Sequence, residues 1–132
     1  MYLEGQQVPK DYGKAQHYFE QAAKQGDKRA MYYLGQIHQR GLGKQRDLAK
    51  AASWYKQSAE LGFNKSQNEY GMLLAQGQGV KLDYVKAYAW LSLAEKNGNN
   101  KATANKNRLS QILKPEQLSQ AKAAAKAMLN ES

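Results

Sequence analysis

Cysteine is absent from this chain of 132 residues, which excludes disulfide staples and thiolate metal sites. Proline occurs only twice, so few positions forbid a helix. No apolar run approaches the roughly 20 residues that a membrane-spanning helix needs, and the first residues carry no charged-then-apolar leader. Histidine is scarce as well: His17 and His38 are the two near-neutral acid–base candidates. Neither falls in an H-E-x-x-H or G-x-S-x-G pattern, and no phosphate loop or EF-hand is present. The chain is therefore read as non-enzymatic, with no metal and no cofactor. Its compartment stays open, because a cysteine-free protein suits cytoplasm and periplasm equally.

What is abundant points to helix. Ala, Lys, Gln and Leu dominate, and such straight-chain or small side chains lose little rotamer freedom in helices. The length suits one domain. Lys and Arg number 20 against 11 acids, a net charge of +9. Ten basic residues precede Phe63 and ten follow it. Nucleic-acid binding calls for a basic stripe, and cations dispersed over many helices argue against it. A basic surface still attracts acidic partners in a salt-sensitive way.

The main feature is a repeat of 36 residues. Gly5, Gly41 and Gly77 recur at that spacing, as do Asp11, Asp47 and Asp83. Lys14, Lys50 and Lys86 follow suit, then Ala15, Ala51 and Ala87, and finally Gly26, Gly62 and Gly98. Tyr18, Trp54 and Trp90 share one aromatic position, while Leu34-Gly35 matches Tyr70-Gly71. Each match has a physical task. The aspartates are candidate N-caps, their carboxylates accepting orphan N–H groups. Ala15, Tyr18, Phe19, Ala22 and Ala23 then give an i, i+3, i+4, i+7 inner stripe. Ala51, Trp54, Tyr55, Ser58 and Ala59 repeat it, followed by Ala87, Trp90, Leu91 and Ala94. Gly26, Gly62 and Gly98 suit the left-handed stop of those helices. A second helix follows each glycine, with Ala30, Leu34 and Ile37, then Ser66, Tyr70 and Leu73, as its inner face. Gly35 and Gly71 would admit a neighbouring helix closely, and Gly41-Leu-Gly43 and Gly77-Gln-Gly79 turn the chain back.

These residues resemble the Sel-one-like repeat, a relative of the tetratricopeptide repeat. Ala30-Met-Tyr-Tyr-Leu34-Gly35 opens the family pattern, and Asp47, Lys50-Ala51, Trp54-Tyr55, Ala59 and Gly62 complete it. The resemblance implies an all-α, right-handed α–α superhelix, a solenoid of helix pairs. We divide one repeat domain into a partial repeat (1–27), full repeats (28–63 and 64–99) and a degenerate closing segment (100–132). Gln7 replaces a loop glycine in the first copy, and Lys106-Asn107 stands where the third copy should have Leu-Gly. Pro115 opens an expected capping helix over 115–129, with Leu118, Ala121, Ala125 and Met128 inward. Met1-Tyr2-Leu3-Glu4 takes the place of a preceding helix's tail, so the chain is expected to begin mid-repeat, as a piece of a longer protein.

Stacked helix pairs generate a concave groove, and in tetratricopeptide relatives the first helix of each pair lines it. Those helices are predicted at 28–40, 64–76 and 100–112. Removing core positions leaves Arg29, Tyr32, Gln36 and Gln39, then Lys65, Asn68 and Met72, then Lys101, Ala104 and Arg108 as groove residues. Arg29, Lys65 and Lys101 occupy one equivalent position, a cationic ladder suited to acidic side chains or a C-terminal carboxylate. The expected function is a protein-interaction scaffold or adaptor holding a protein or peptide. The alternative is a cell-envelope module that binds wall glycan or regulates a wall-acting enzyme, for which Tyr32 is the one strong groove aromatic.

Overall fold

The computed structural model describes residues 12–43 and 45–131. Gly5, Gln7, Asp11 and the Met1–Glu4 segment, all assigned roles above, lie outside the described residues. Seven helices follow one another: α1 (Tyr12–Lys24), α2 (Lys28–Arg40), α3 (Leu48–Glu60), α4 (Asn64–Gln76), α5 (Tyr84–Lys96), α6 (Asn100–Ile112) and α7 (Pro115–Glu131). No strand occurs among the described residues. The fold is an all-α solenoid of paired helices.

Local chemistry sets the helix boundaries. The Asp47 and Asp83 carboxylates accept the N–H groups of Lys50 and Lys86 at 3.1 and 2.9 Å, capping α3 and α5. Two further caps escaped the repeat analysis because they vary from copy to copy. Asp27 accepts from Arg29 and Ala30 at the start of α2, and Asn99 accepts from Ala102 at the start of α6. Phe63 occupies the same place before α4 and offers no side-chain cap. Gly26, Gly62 and Gly98 have φ of 86°, 93° and 96°, a region that glycine enters without a Cβ penalty. Each one reverses the chain into the next helix.

Within a repeat, α2 lies closely against α3 and α4 against α5. One missing side chain makes this possible. A Cβ on Gly35 would sit 2.6 Å from the Tyr55 ring, and one on Gly71 would sit 3.0 Å from Leu91. Ala15, Ala51 and Ala87 are wholly buried, so the helices also meet closely through these positions. Two clusters fill the interior. One gathers Phe19, Met31, Leu34 and Ile37; the other runs from Tyr55 through Leu73 and Leu91 to Ala121 and Ala125. Trp54 and Trp90 are half-buried, and Trp90 packs edge-on to Tyr70 at 5.6 Å. Tyr18 corrects the expected stripe: it is 64% exposed. It rests edge-on against its neighbour Phe19, on a side of α1 that no described helix covers.

Several polar atoms inside the solenoid are bonded between helices. Ser66 Oγ donates to Ser58 Oγ at 2.6 Å, and Ser58 Oγ donates to the Lys28 carbonyl at 2.7 Å. Gln67, almost fully buried, donates to the Ala59 carbonyl and accepts from Asn97. Burial raises the Tyr70 phenol above its ordinary value of 10.0, helped by the Glu60 and Asp83 carboxylates, so this buried hydroxyl stays neutral. At the closing end, α7 packs on α5 through Ala121 and Ala125. Lys106, at the repeat position of Leu34 and Tyr70, pairs with Glu95 at 2.6 Å.

Candidate functional site

The first helices of successive repeats, α2, α4 and α6, border a cleft of about 620 Å³. It is lined by Tyr32, Gln36 and Arg40 from α2, and by Asn64, Lys65, Asn68 and Glu69 from α4. The turn into α6 adds Gly98 and Asn99, and the first residues of α6 add Asn100 and Lys101. Glu69 is the single acid in this lining against Arg40, Lys65 and Lys101, so the cleft carries a positive field. Lys65 and Lys101 are exposed, and the Lys65 ammonium stands 5.9 Å from the Tyr32 ring centroid, a cation–π distance.

The residues assigned to the groove from the sequence divide into three groups. Tyr32, Gln36, Lys65, Asn68 and Lys101 meet around the cleft. Met72 and Arg108 line a separate hollow farther along α4 and α6. Arg29, exposed like Ala104, and Gln39 line neither, so the three-rung ladder contributes two rungs to the cleft. Gln39 accepts a 2.6 Å hydrogen bond from the Tyr55 hydroxyl.

Three of these side chains are also more buried than their selection as surface residues implied: Tyr32 is 5% exposed, Gln36 4% and Asn68 7%. The Tyr32 ring is held among Tyr33, Tyr55 and Phe63, with centroids 5.4 to 5.9 Å away. Its hydroxyl accepts from Gln36 Nε2 at 2.7 Å. Asn68 Oδ1 accepts from Asn105 Nδ2 across the α4–α6 boundary at 3.0 Å. A helical-period count marks these positions as outward, but contacts from the next helix enclose them. An open stacking platform of the kind a glycan needs is therefore not what Tyr32 provides.

Several lining residues went unassigned in the sequence. Asn64 and Asn100 occupy one repeat position, and Asn99 is the α6 cap. Asn99 Nδ2 donates to the Asn64 carbonyl and to Asn64 Oδ1, at 3.3 and 3.1 Å. Together with the Asn97–Gln67 bond, this fastens the turn before α6 to the start of α4. The capping pattern of Asn99 was the available signal; Arg40 and Glu69 reach the cleft only through the stacking of repeats.

No group of three or more His, Asp or Glu suited to a metal ion occurs among the described residues. Nor is any described helix long and apolar enough to cross a membrane. His17 is exposed and His38 is 2% exposed within α2, on different helices and away from the cleft lining.

Comparison with known proteins decides the family. The Sel1 repeat model matches residues 1–27, 28–63 and 64–99. The chain belongs to the Sel1-repeat family. A protective antigen of uropathogenic Escherichia coli displaying an SLR fold is similar to it, with 33% identity and a TM-score of 0.87. A Sel1 repeat protein from Oxalobacter formigenes is similar at 30% identity and a TM-score of 0.72. These alignments take in 93% and 75% of this chain but only 27% and 41% of those chains. Among functionally curated proteins, none matches. Membership of the Sel1-repeat family gives the chain the general role typical of such helix-pair repeats, a scaffold for protein–protein interaction.

Proposed function

We propose that this Sel1-repeat chain recruits a partner protein by holding an acidic segment of it in the α2–α4–α6 cleft. The supporting observation is the charge of the lining: Arg40, Lys65 and Lys101 against Glu69 alone. Charge-assisted hydrogen bonds from lysine and arginine to carboxylates are stronger than neutral ones, and a concave, partly desolvated wall strengthens them further. Asparagine amides beside these cations can donate to carboxylates or main-chain carbonyls of a bound segment. The chain acts as one repeat domain: a partial repeat over 1–27, full repeats over 28–63 and 64–99, and a closing segment over 100–132.

Fluorescence anisotropy with labelled, aspartate-rich peptides tests the reading. Lys65→Glu with Lys101→Glu should weaken binding at least about tenfold, a loss of about 1.4 kcal/mol, while helicity and melting temperature stay unchanged. Binding by the parent chain should also weaken as salt rises, because exposed charges are screened. Undiminished binding by the doubly reversed protein removes the assignment.

A further inference from the structure

The face shared by α4 and α6 continues past the cationic cleft and changes chemistry. Met72, Ala75, Tyr84, Leu109 and Ile112 border a hollow of about 210 Å³, with Gln76, Asn105 and Arg108 also in its wall. Ile112 is 65% exposed, a large aliphatic side chain left in water at the end of α6. Three positions of the equivalent junction one repeat earlier are polar instead: Met72, Ala75 and Ile112 correspond to Gln36, Gln39 and Gln76. At those three positions the apolar character is particular to this junction; Tyr84, Leu91 and Leu109 match Leu48, Tyr55 and Leu73 of the earlier repeat. Polar side chains link the two linings, Asn68 from the cleft with Asn105 and Arg108 from the hollow. Asn105 Nδ2 donates to Asn68 Oδ1 at 3.0 Å, and Arg108 Nη2 donates to Asn105 Oδ1 at 2.7 Å.

We propose that cleft and hollow are two subsites for one extended segment, taking an acidic residue beside Lys65 and Lys101 and a bulky aliphatic residue beside Met72 and Ile112. This rests on the acidic-segment reading and adds a sequence requirement to it. Lys65 to Met72 and Lys101 to Arg108 are each seven residues of helix, or about 10 Å at 1.5 Å per residue. An extended chain advances about 3.3–3.6 Å per residue. The near edge of the hollow, at Met72 and Arg108, therefore lies three positions from the acid, and the aliphatic residue enters there with Ile112 about one helical turn farther along α6. The stretch between them passes the Asn68–Asn105 hydrogen bond. Charge complementarity at one end and continuity of the same two helices at the other select such a segment over a wholly acidic tail.

Four labelled Ser/Gly-based peptides, each with a pair of aspartates, separate the possibilities by anisotropy. One lacks leucine; the others place a leucine one, three or six residues beyond the acids. The expected result is about tenfold tighter binding for the spacing of three than for the leucine-free peptide, as burial of one aliphatic side chain allows. Spacings of one and six should remain within about twofold of the leucine-free peptide. Ile112→Asn, at an exposed site, should erase the gain and leave the leucine-free affinity unaltered. Equal binding of all four peptides, a gain at another spacing, or a gain that survives Ile112→Asn overturns the two-subsite proposal while leaving the acidic-segment reading standing. If no peptide binds, both fall. The spacing series needs only the parent chain, so it decides the matter even if the variant folds poorly.

Discussion

The inner repeats and the closing segment solve the same packing problem differently. In α2 and α4 a glycine lets the following helix settle against the backbone, with Tyr55 and Leu91 filling the space. In α6 the matching residue is Asn107, exposed, and the following helix does not repeat the arrangement. Instead α7 lies on α5, where Ala121 and Ala125 are buried. A pairing that depends on one absent Cβ ends where that Cβ appears. The difference teaches that the limit of the solenoid is written at a single repeat position as much as in a special terminal helix.

Substitutions can break that contrast, and the largest effect is expected at Gly35. Gly35→Ala should destabilise the chain by about 2 kcal/mol in denaturant unfolding, since strain in a filled core costs about 1–3 kcal/mol and outweighs the helix-propensity gain. Asn107→Ala, at the equivalent exposed site, should instead stabilise by a few tenths of a kcal/mol. Equal responses at the two sites would refute the account of how the stack ends.

The buried hydroxyl pair sharpens the comparison along the stack. Ser58 and Ser66 stand where the neighbouring repeats have Ala22 with Ala30 and Ala94 with Ala102. Ser58→Ala should cost about 1–2 kcal/mol, because it strands the Ser66 hydroxyl and removes the donor to the Lys28 carbonyl. Adding Ser66→Ala recreates the flanking alanine pair and should recover part of that loss. Thermal melts of the two variants check the order, and a double variant weaker than the single would contradict it.

Smaller changes are expected at the caps and at the closing ion pair. Asp83→Ala should cost about 1 kcal/mol by loss of the α5 cap. The Lys106 ammonium, hydrogen-bonded to Glu95, holds its carboxyl below the ordinary 4.5, with a further hydrogen bond from Thr103. Because the folded value is the lower one, this stabilisation is present above the unfolded value and is lost as pH falls through the folded value. At this partly exposed pair it amounts to at most about 0.5–1 kcal/mol. Glu95→Gln should therefore lower the melting temperature slightly at neutral pH and leave it unchanged in strong acid.

The fold was legible because its signals are local. Repeated aspartates, stop glycines and the helical period place helices at 28–40, 64–76 and 100–112, the bounds of α2, α4 and α6. The closing helix expected over 115–129 runs to Glu131. The cleft was less legible, for a physical reason. Periodicity tells which way a side chain leaves its own helix and is silent about what the next helix lays over it. Tyr32 therefore looked open until Phe63 and Tyr55 were seen around its ring. Asn64, Asn99 and Asn100 lie far apart in function from any motif and come together only when one repeat stacks on another.

The amide fastening at the mouth of the cleft has a consequence for any measurement made on it. Asn64, Gln67, Asn97 and Asn99 join the start of α4 to the turn before α6 through groups that neither gain nor lose a proton in water. The opening should then keep one width from mildly acidic to mildly alkaline solution. Titration of an occupant's affinity would accordingly report the guest's own ionisation, with no contribution from a gate.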